Sequence, residues 1–167
     1  AVGQLVPRKG HDTLLRALAH LTDLPWTASI VGRAGDPAYG AALPALAGRL
    51  GLDDPVCFTG SPPPDDLAAQ YASASIFALA THYEGYGMVF AEAMVHGLPI
   101  VTCDGGAVPD TVPPDAGNLV PVGDSTAFAT ALRRLLTEDD MRRRMSAASA
   151  RAGRSLPDWE DTARIVS

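Results

Sequence analysis

Short β-rich runs alternate along this chain with longer stretches of helical periodicity, and that alternation constrains the fold more than any other feature. The runs are Ala1–Val6, Trp26–Val31, Val56–Thr59, Ile76–Ala80, Ile100–Cys103 and Asn118–Val122. Between the first two, Leu14, Leu15, Leu18 and Leu21 recur at helical spacing, which predicts an amphipathic helix over 11–22. A second helix is expected over 38–51, stopped by Gly51. A third follows Pro62-Pro63-Pro64, capped by Asp65 or Asp66 and running to about Ala74. The helix after Gly87 should end at Gly97, before Pro99 and a buried strand. Residues 125–137, 139–152 and the stretch from Trp159 to the end read as further helices. Strands that alternate with helices in this way build a parallel sheet with helical crossovers. The expected fold is α/β: a Rossmann-like, three-layer domain with a parallel sheet of about six strands, forming a single domain over 1–167.

Composition narrows what such a domain can do. A chain of 167 residues, 47% apolar and 19% charged, is long enough for one well-cored globular domain. Its net charge of −6 gives no support to a nucleic-acid or membrane-surface role. No apolar run reaches the length of a membrane span, and no secretory signal is read. Cys57 and Cys103 both lie in apolar, strand-like runs and are expected to be buried thiols rather than a disulfide, which suits the cytoplasm. Twelve arginines stand against a single lysine, Lys9. Seven of the arginines fall late, between Arg133 and Arg154, and read as the solvated face of C-terminal helices. A surface meeting acidic partners or lipid is the alternative.

Four segments could carry chemistry. Gly3-Gln4-Leu5-Val6-Pro7-Arg8-Lys9-Gly10-His11 joins a strand to a helix at the carboxyl edge of the sheet, where open α/β folds bind ligands. A lysine there can reach a phosphate, or be no more than a solvated turn residue. Gly32 and Gly60 each close a strand, and each reads equally as an ordinary turn or as a place where a ligand approaches the backbone. The stretch Thr81–Gly97 is more informative. Glu84 lies in the turn Glu84-Gly85-Tyr86-Gly87, and Glu92 stands eight positions later inside the helix that this turn opens. Free N–H groups at a helix start favour anions, while carboxylates accept hydrogen bonds from sugar hydroxyls. Together they point to a nucleotide-sugar. The plainer reading, helix-start charges that favour the dipole, fits Glu92 poorly because its neighbours Phe90, Ala91, Ala93 and Met94 are apolar.

In order and spacing these segments resemble the C-terminal half of family 4 retaining glycosyltransferases, which are GT-B enzymes with two Rossmann-like domains. The matching residues are Gly3…Lys9-Gly10, Ile30-Val31-Gly32, Phe58-Thr59-Gly60, Thr81-x-x-Glu84-Gly-Tyr-Gly87 and Glu92-Ala-Met. They continue through Gly97-x-Pro99, Gly105-Gly106, Gly117-Asn-Leu-Val-Pro, Asp124 and Trp159. The resemblance implies that the full-length enzyme transfers a sugar from a nucleotide diphosphate sugar to an acceptor, with retention and without a metal or other cofactor. Lys9 would pair with the diphosphate and Glu84 would sit beside the sugar, these two being the catalytic candidates. Glu92 would bind the ribose, and backbone N–H groups around Gly85, Tyr86, Gly87, Met88 and Val89 would hold phosphate or sugar hydroxyls. Gly32 and Gly60 would border the base. The acceptor would bind to a separate N-terminal domain of the same protein, through which peripheral membrane contact could also arise. The isolated domain would transfer nothing.

Two positions depart from the family pattern. Gln4, counted among the donor-binding residues because its amide can donate a hydrogen bond, stands where arginine is usual as a second diphosphate contact, so that charge is missing unless Arg8 or Arg33 supplies it. Asp110 replaces a commoner glutamate. No Asp-x-Asp motif occurs, and His11, His20, His82 and His96 lack metal-ligand spacing. His82 could touch the sugar, but a structural or solvent-facing role is the simpler reading. His20 and His96 read as surface or helix-end residues. The alternatives to a transferase are a related GT-B nucleotide-sugar epimerase and a catalytically inactive nucleotide-sugar-binding module.

Overall fold

The computed structural model describes residues 1–156. Its helices and strands, in chain order, are α1 His11–Ala19, β1 Ala28–Val31, α2 Pro37–Arg49, β2 Val56–Gly60, α3 Pro64–Ser73 and β3 Phe77–Leu79. They continue with α4 Met88–Val95, β4 Ile100–Cys103, α5 Val108–Thr111, β5 Gly117–Val120, α6 Ser125–Thr137 and α7 Asp139–Ser155. Every strand pairing is parallel: β1 with β2, β3 with β4, and β4 with β5. The α/β parallel architecture expected from the alternation is therefore present.

The strand count is lower than expected, and among the described residues the strands form two hydrogen-bonded sheets, β1-β2 and β3-β4-β5, rather than one. Ala1–Val6 forms no strand; it meets the β1 segment through isolated bridges, Val2 to Val31 and Leu5 to Ala34, and through the amino terminus, which donates to the Ser29 carbonyl at 2.9 Å. The cause is local. At the end of β1, Gly32 has φ 154° and lies so close to the Gly3 carbonyl that a β-carbon would stand 1.9 Å from that oxygen. The ladder breaks there and resumes beyond it.

The buried strand β4 shows how the layers form. Ile100 belongs to one apolar cluster, with Phe77, Leu79, Phe90, Met94 and Tyr71. Its neighbour Val101 faces the other, with Leu14, Leu15, Leu18, Phe128, Leu132 and Leu135. Successive side chains of a strand point to opposite faces, so a strand covered on both sides must be apolar throughout. Helices α3 and α4 cover one face, and α1 and α6 cover the other.

Boundaries differ from expectation in instructive ways. Helix α1 stops at Ala19, yet Leu21 remains fully buried beyond it. Helix α3 begins at Pro64 with Pro63 in the cap position, so Asp65 and Asp66 lie in its first turn and cap nothing. Asp36 and Asp124 are the side chains that cap, accepting from the Tyr39 N–H at 3.0 Å and the Ala127 N–H at 2.8 Å. Cys103 is buried as expected, but Cys57 is exposed, because it lies level with Ser29, also exposed, on the sheet face away from the apolar cluster that takes Val56 and Ile30. The helix expected from Trp159 onward lies outside the described residues.

Candidate functional site

The carboxyl ends of the strands come together through backbone hydrogen bonds. The Gly3 N–H donates to the Val31 carbonyl at 2.9 Å, and the Gly32 N–H donates to the Gly60 carbonyl at 2.7 Å. The three glycine turns after the first three predicted strands thus stand side by side. They are not equivalent. At Gly32 the close approach is made by the chain itself, at Gly3. Gly60 is exposed, with φ 66° and open space where a side chain would be.

Lys9 is the last residue of a single 3-10 turn, Pro7–Lys9, and Gly10 follows it with φ 63°. A β-carbon on Gly10 would lie 1.9 Å from the Ala80 carbonyl oxygen, so only glycine lets α1 start this close to the end of β3. The proximity brings Lys9 to Glu84. The Lys9 Nζ forms a buried ion pair with Glu84 Oε2, and the two residues are 7% and 9% exposed. These are the two residues named as catalytic candidates, and they lie 75 positions apart in the chain.

The turn carrying Glu84 is held from both sides. On one side the Arg8 carbonyl accepts from the His82 N–H at 2.8 Å and from the Thr81 hydroxyl at 3.1 Å. On the other, Glu84 bridges Gly106, and its carbonyl accepts from the Ala107 N–H at 2.8 Å. Thr81, fully buried, and the Gly105-Gly106 loop are framework residues to which the sequence assigned no role. Gly87, with φ 67°, is the N-cap of α4 and has no side-chain cap, so the amides of Gly87, Met88 and Val89 head the helix. Tyr86 is 89% exposed and Gly85 faces open space.

Glu92 is exposed on α4 and accepts from the Tyr71 hydroxyl at 2.7 Å. The sequence showed that Glu92 needed a partner; that the partner is Tyr71, 21 positions earlier, carried no local signal. Gln4, Arg8 and Arg33 are all exposed. His82 is solvent-facing, and His20 and His96 cap the C-terminal ends of α1 and α4. Five of the late arginines form surface ion pairs, such as Arg133 with Asp23 and Arg151 with Asp115. A cavity of about 360 Å³ opens at the amino ends of the strands beside Trp26 and Ile76, away from Lys9 and Glu84.

A parallel α/β domain with a lysine–glutamate pair and an uncapped helix start gathered at its strand ends belongs to the class of Rossmann-like ligand-binding domains. Residues 1–152 match the family described as Glycosyl transferases group 1, and the chain belongs to that family. It is 36% identical to D-inositol 3-phosphate glycosyltransferase of Corynebacterium kroppenstedtii, over 99% of this chain and 38% of that relative. It is 37% identical to the GDP-mannose-dependent alpha-(1-6)-phosphatidylinositol monomannoside mannosyltransferase of Mycolicibacterium smegmatis, over 95% of this chain and 43% of that relative. The chain therefore spans about two fifths of the length of these relatives. Among solved structures it superposes on sucrose-phosphate synthase from Thermosynechococcus elongatus with a TM-score of 0.88 at 29% identity, covering 99% of this chain and 43% of that one. It superposes on Anabaena HepE in complex with UDP and glucose with a TM-score of 0.89 at 27% identity, covering 99% and 45%. Among the described residues no helix is long and apolar enough to cross a membrane.

Proposed function

We propose that this chain is the donor-binding half of a retaining glycosyltransferase whose full-length form moves a sugar from a nucleotide diphosphate sugar to an acceptor held largely by another domain. The observation that carries the reading is the buried Lys9–Glu84 pair beside the head of α4. In this role the lysine and the α4 amides take the diphosphate, and Glu84 turns to the transferred sugar. Charge that builds on the departing diphosphate then meets a cation and a helix dipole already in place. Glu92 takes the ribose hydroxyls, while the turns at Gly32 and Gly60 border the base. The residues proposed for these tasks supply charge and hydrogen bonds without a cofactor. Family membership and the nucleotide named with HepE support this reading.

Calorimetry on the full-length protein with UDP, GDP and ADP is the direct test. Lys9→Ala should weaken the tightest of the three by about tenfold or more at low salt, and by less as salt rises. Glu92→Ala should weaken it with little dependence on salt. Affinity unchanged in both variants would sink the residue roles. Incubating the donor without acceptor separates the epimerase alternative, which alone would yield an epimerised donor. Absence of binding to any nucleoside diphosphate would overturn the transferase reading.

A further inference from the structure

Tyr71 occupies an unusual position for a polar side chain. It is 5% exposed near the end of α3, among the apolar residues of the cluster beneath α4. Its ring stacks on Phe77 with centroids 6.0 Å apart and an interplanar angle of 23°, and it leans on His96 at 5.2 Å and 49°. Phe77 in turn meets Phe90 edge-on at 5.8 Å. A ring wedged in this way cannot swing, so its oxygen has a fixed place. That oxygen donates to Glu92 Oε2 at 2.7 Å. Burial, and then the hydrogen bond to Glu92, push the phenol above the ordinary tyrosine range, so it remains a donor wherever the protein is folded.

Glu92 has the opposite character. It is exposed, and an untethered glutamate would spread its carboxylate over several rotamers. With one oxygen held by a fixed phenol, the other is presented in one direction. Ordering a long side chain before binding removes that entropic cost from the binding step.

We propose that Tyr71 is a positioning residue, whose hydroxyl holds the Glu92 carboxylate in the orientation that accepts hydrogen bonds from the vicinal hydroxyls of a ribose. The inference rests on the role given to Glu92 above. It assigns a binding task to a residue of α3 that does not itself reach the ligand.

The test uses the full-length protein and calorimetry with the tightest-binding of UDP, GDP and ADP, alongside its 2′,3′-dideoxy counterpart. Tyr71→Phe keeps the ring and its packing. It should lower affinity for the ribonucleotide about fivefold and leave the dideoxy nucleotide unchanged. In turnover it should raise the donor KM with kcat little altered. Glu92→Asp, which draws the carboxylate back from the phenol, should lose the same preference for ribose and become insensitive to Tyr71→Phe. Equal losses for both nucleotides in Tyr71→Phe would mark a merely structural tyrosine and overturn the proposal. An undiminished ribose preference in Tyr71→Phe would overturn it as well. If Glu92→Ala also left the ribose preference intact, the role of Glu92 itself would have failed. That outcome is distinct from one in which Glu92 matters and Tyr71 does not.

Discussion

His11 shows how much a single side chain can hide. It sits at the first position of α1, fully buried, with Nε2 3.2 Å from the Gln4 carbonyl. A carbonyl only accepts, so Nε2 carries the proton and Nδ1 is bare; that Nδ1 is buried with no partner. Charging it would place a cation in a dry site, with Lys9 adding repulsion, and burial chiefly lowers the pKa from 6.5 to about 4. Between those values the unfolded chain binds a proton that the folded chain refuses. The contribution is therefore fully present above pH 6.5 and lost as pH falls toward 4, amounting to about 3 kcal/mol. His11→Gln should flatten the fall in urea midpoint across that window relative to the parent protein. Parallel profiles for the two proteins would show that His11 does not titrate as described. In the sequence this histidine was one more polar residue in a glycine turn. Its burial depends on α1 closing against the end of β3, which no local pattern records.

Among the elements, α7 docks closely on the end of α4. The Ser146 hydroxyl donates to the Gly97 carbonyl at 2.7 Å and the Ser149 hydroxyl to the Leu98 carbonyl at 2.6 Å. At Gly153 the two backbones almost touch, since a β-carbon there would lie 2.3 Å from the Met94 carbonyl oxygen. Alanine at 153 would gain up to about 1 kcal/mol of helix propensity but would force the helices apart. Overpacking of that kind costs about 1–3 kcal/mol, and here the obstacle is backbone that cannot rotate away. Gly153→Ala should therefore lower Tm, by up to about 8 °C in a thermal melt. An unchanged or higher Tm would mean that α7 can shift freely. The existence of this helix, and of most others, was legible from periodicity, because one apolar face must be buried wherever it lands. The partner was not legible. Nor was the failure of Ala1–Val6 to form a strand, since that depends on Gly32 pressing against Gly3. The four-residue α5 lacks enough periodicity to be read at all.

At the scale of the whole molecule, Lys9 and Glu84 tie distant segments of the chain together, one at the entrance to α1 and the other on the turn after β3. The motifs named both residues for a ligand, but they could not show that the two residues take each other as partners. A buried ion pair is a poor source of stability, because desolvating both charges offsets most of their attraction; removing one partner is far worse, leaving a lone buried charge. If the pair is kept for ligand binding, stability and function should separate. Lys9→Met and Glu84→Leu should each destabilise by about 3 kcal/mol. The double variant should recover most of that loss, giving a strongly non-additive cycle in chemical denaturation. Nucleoside diphosphate affinity should move differently, falling with Lys9→Met and recovering nothing in the double variant, because no apolar side chain replaces a cation at a phosphate. Additive stability losses would show that the two charges do not depend on each other. Restored affinity in the double variant would remove Lys9 from the binding site. The expected outcome, a stable double variant that no longer holds the diphosphate, would show that this pair is retained for binding rather than for the fold.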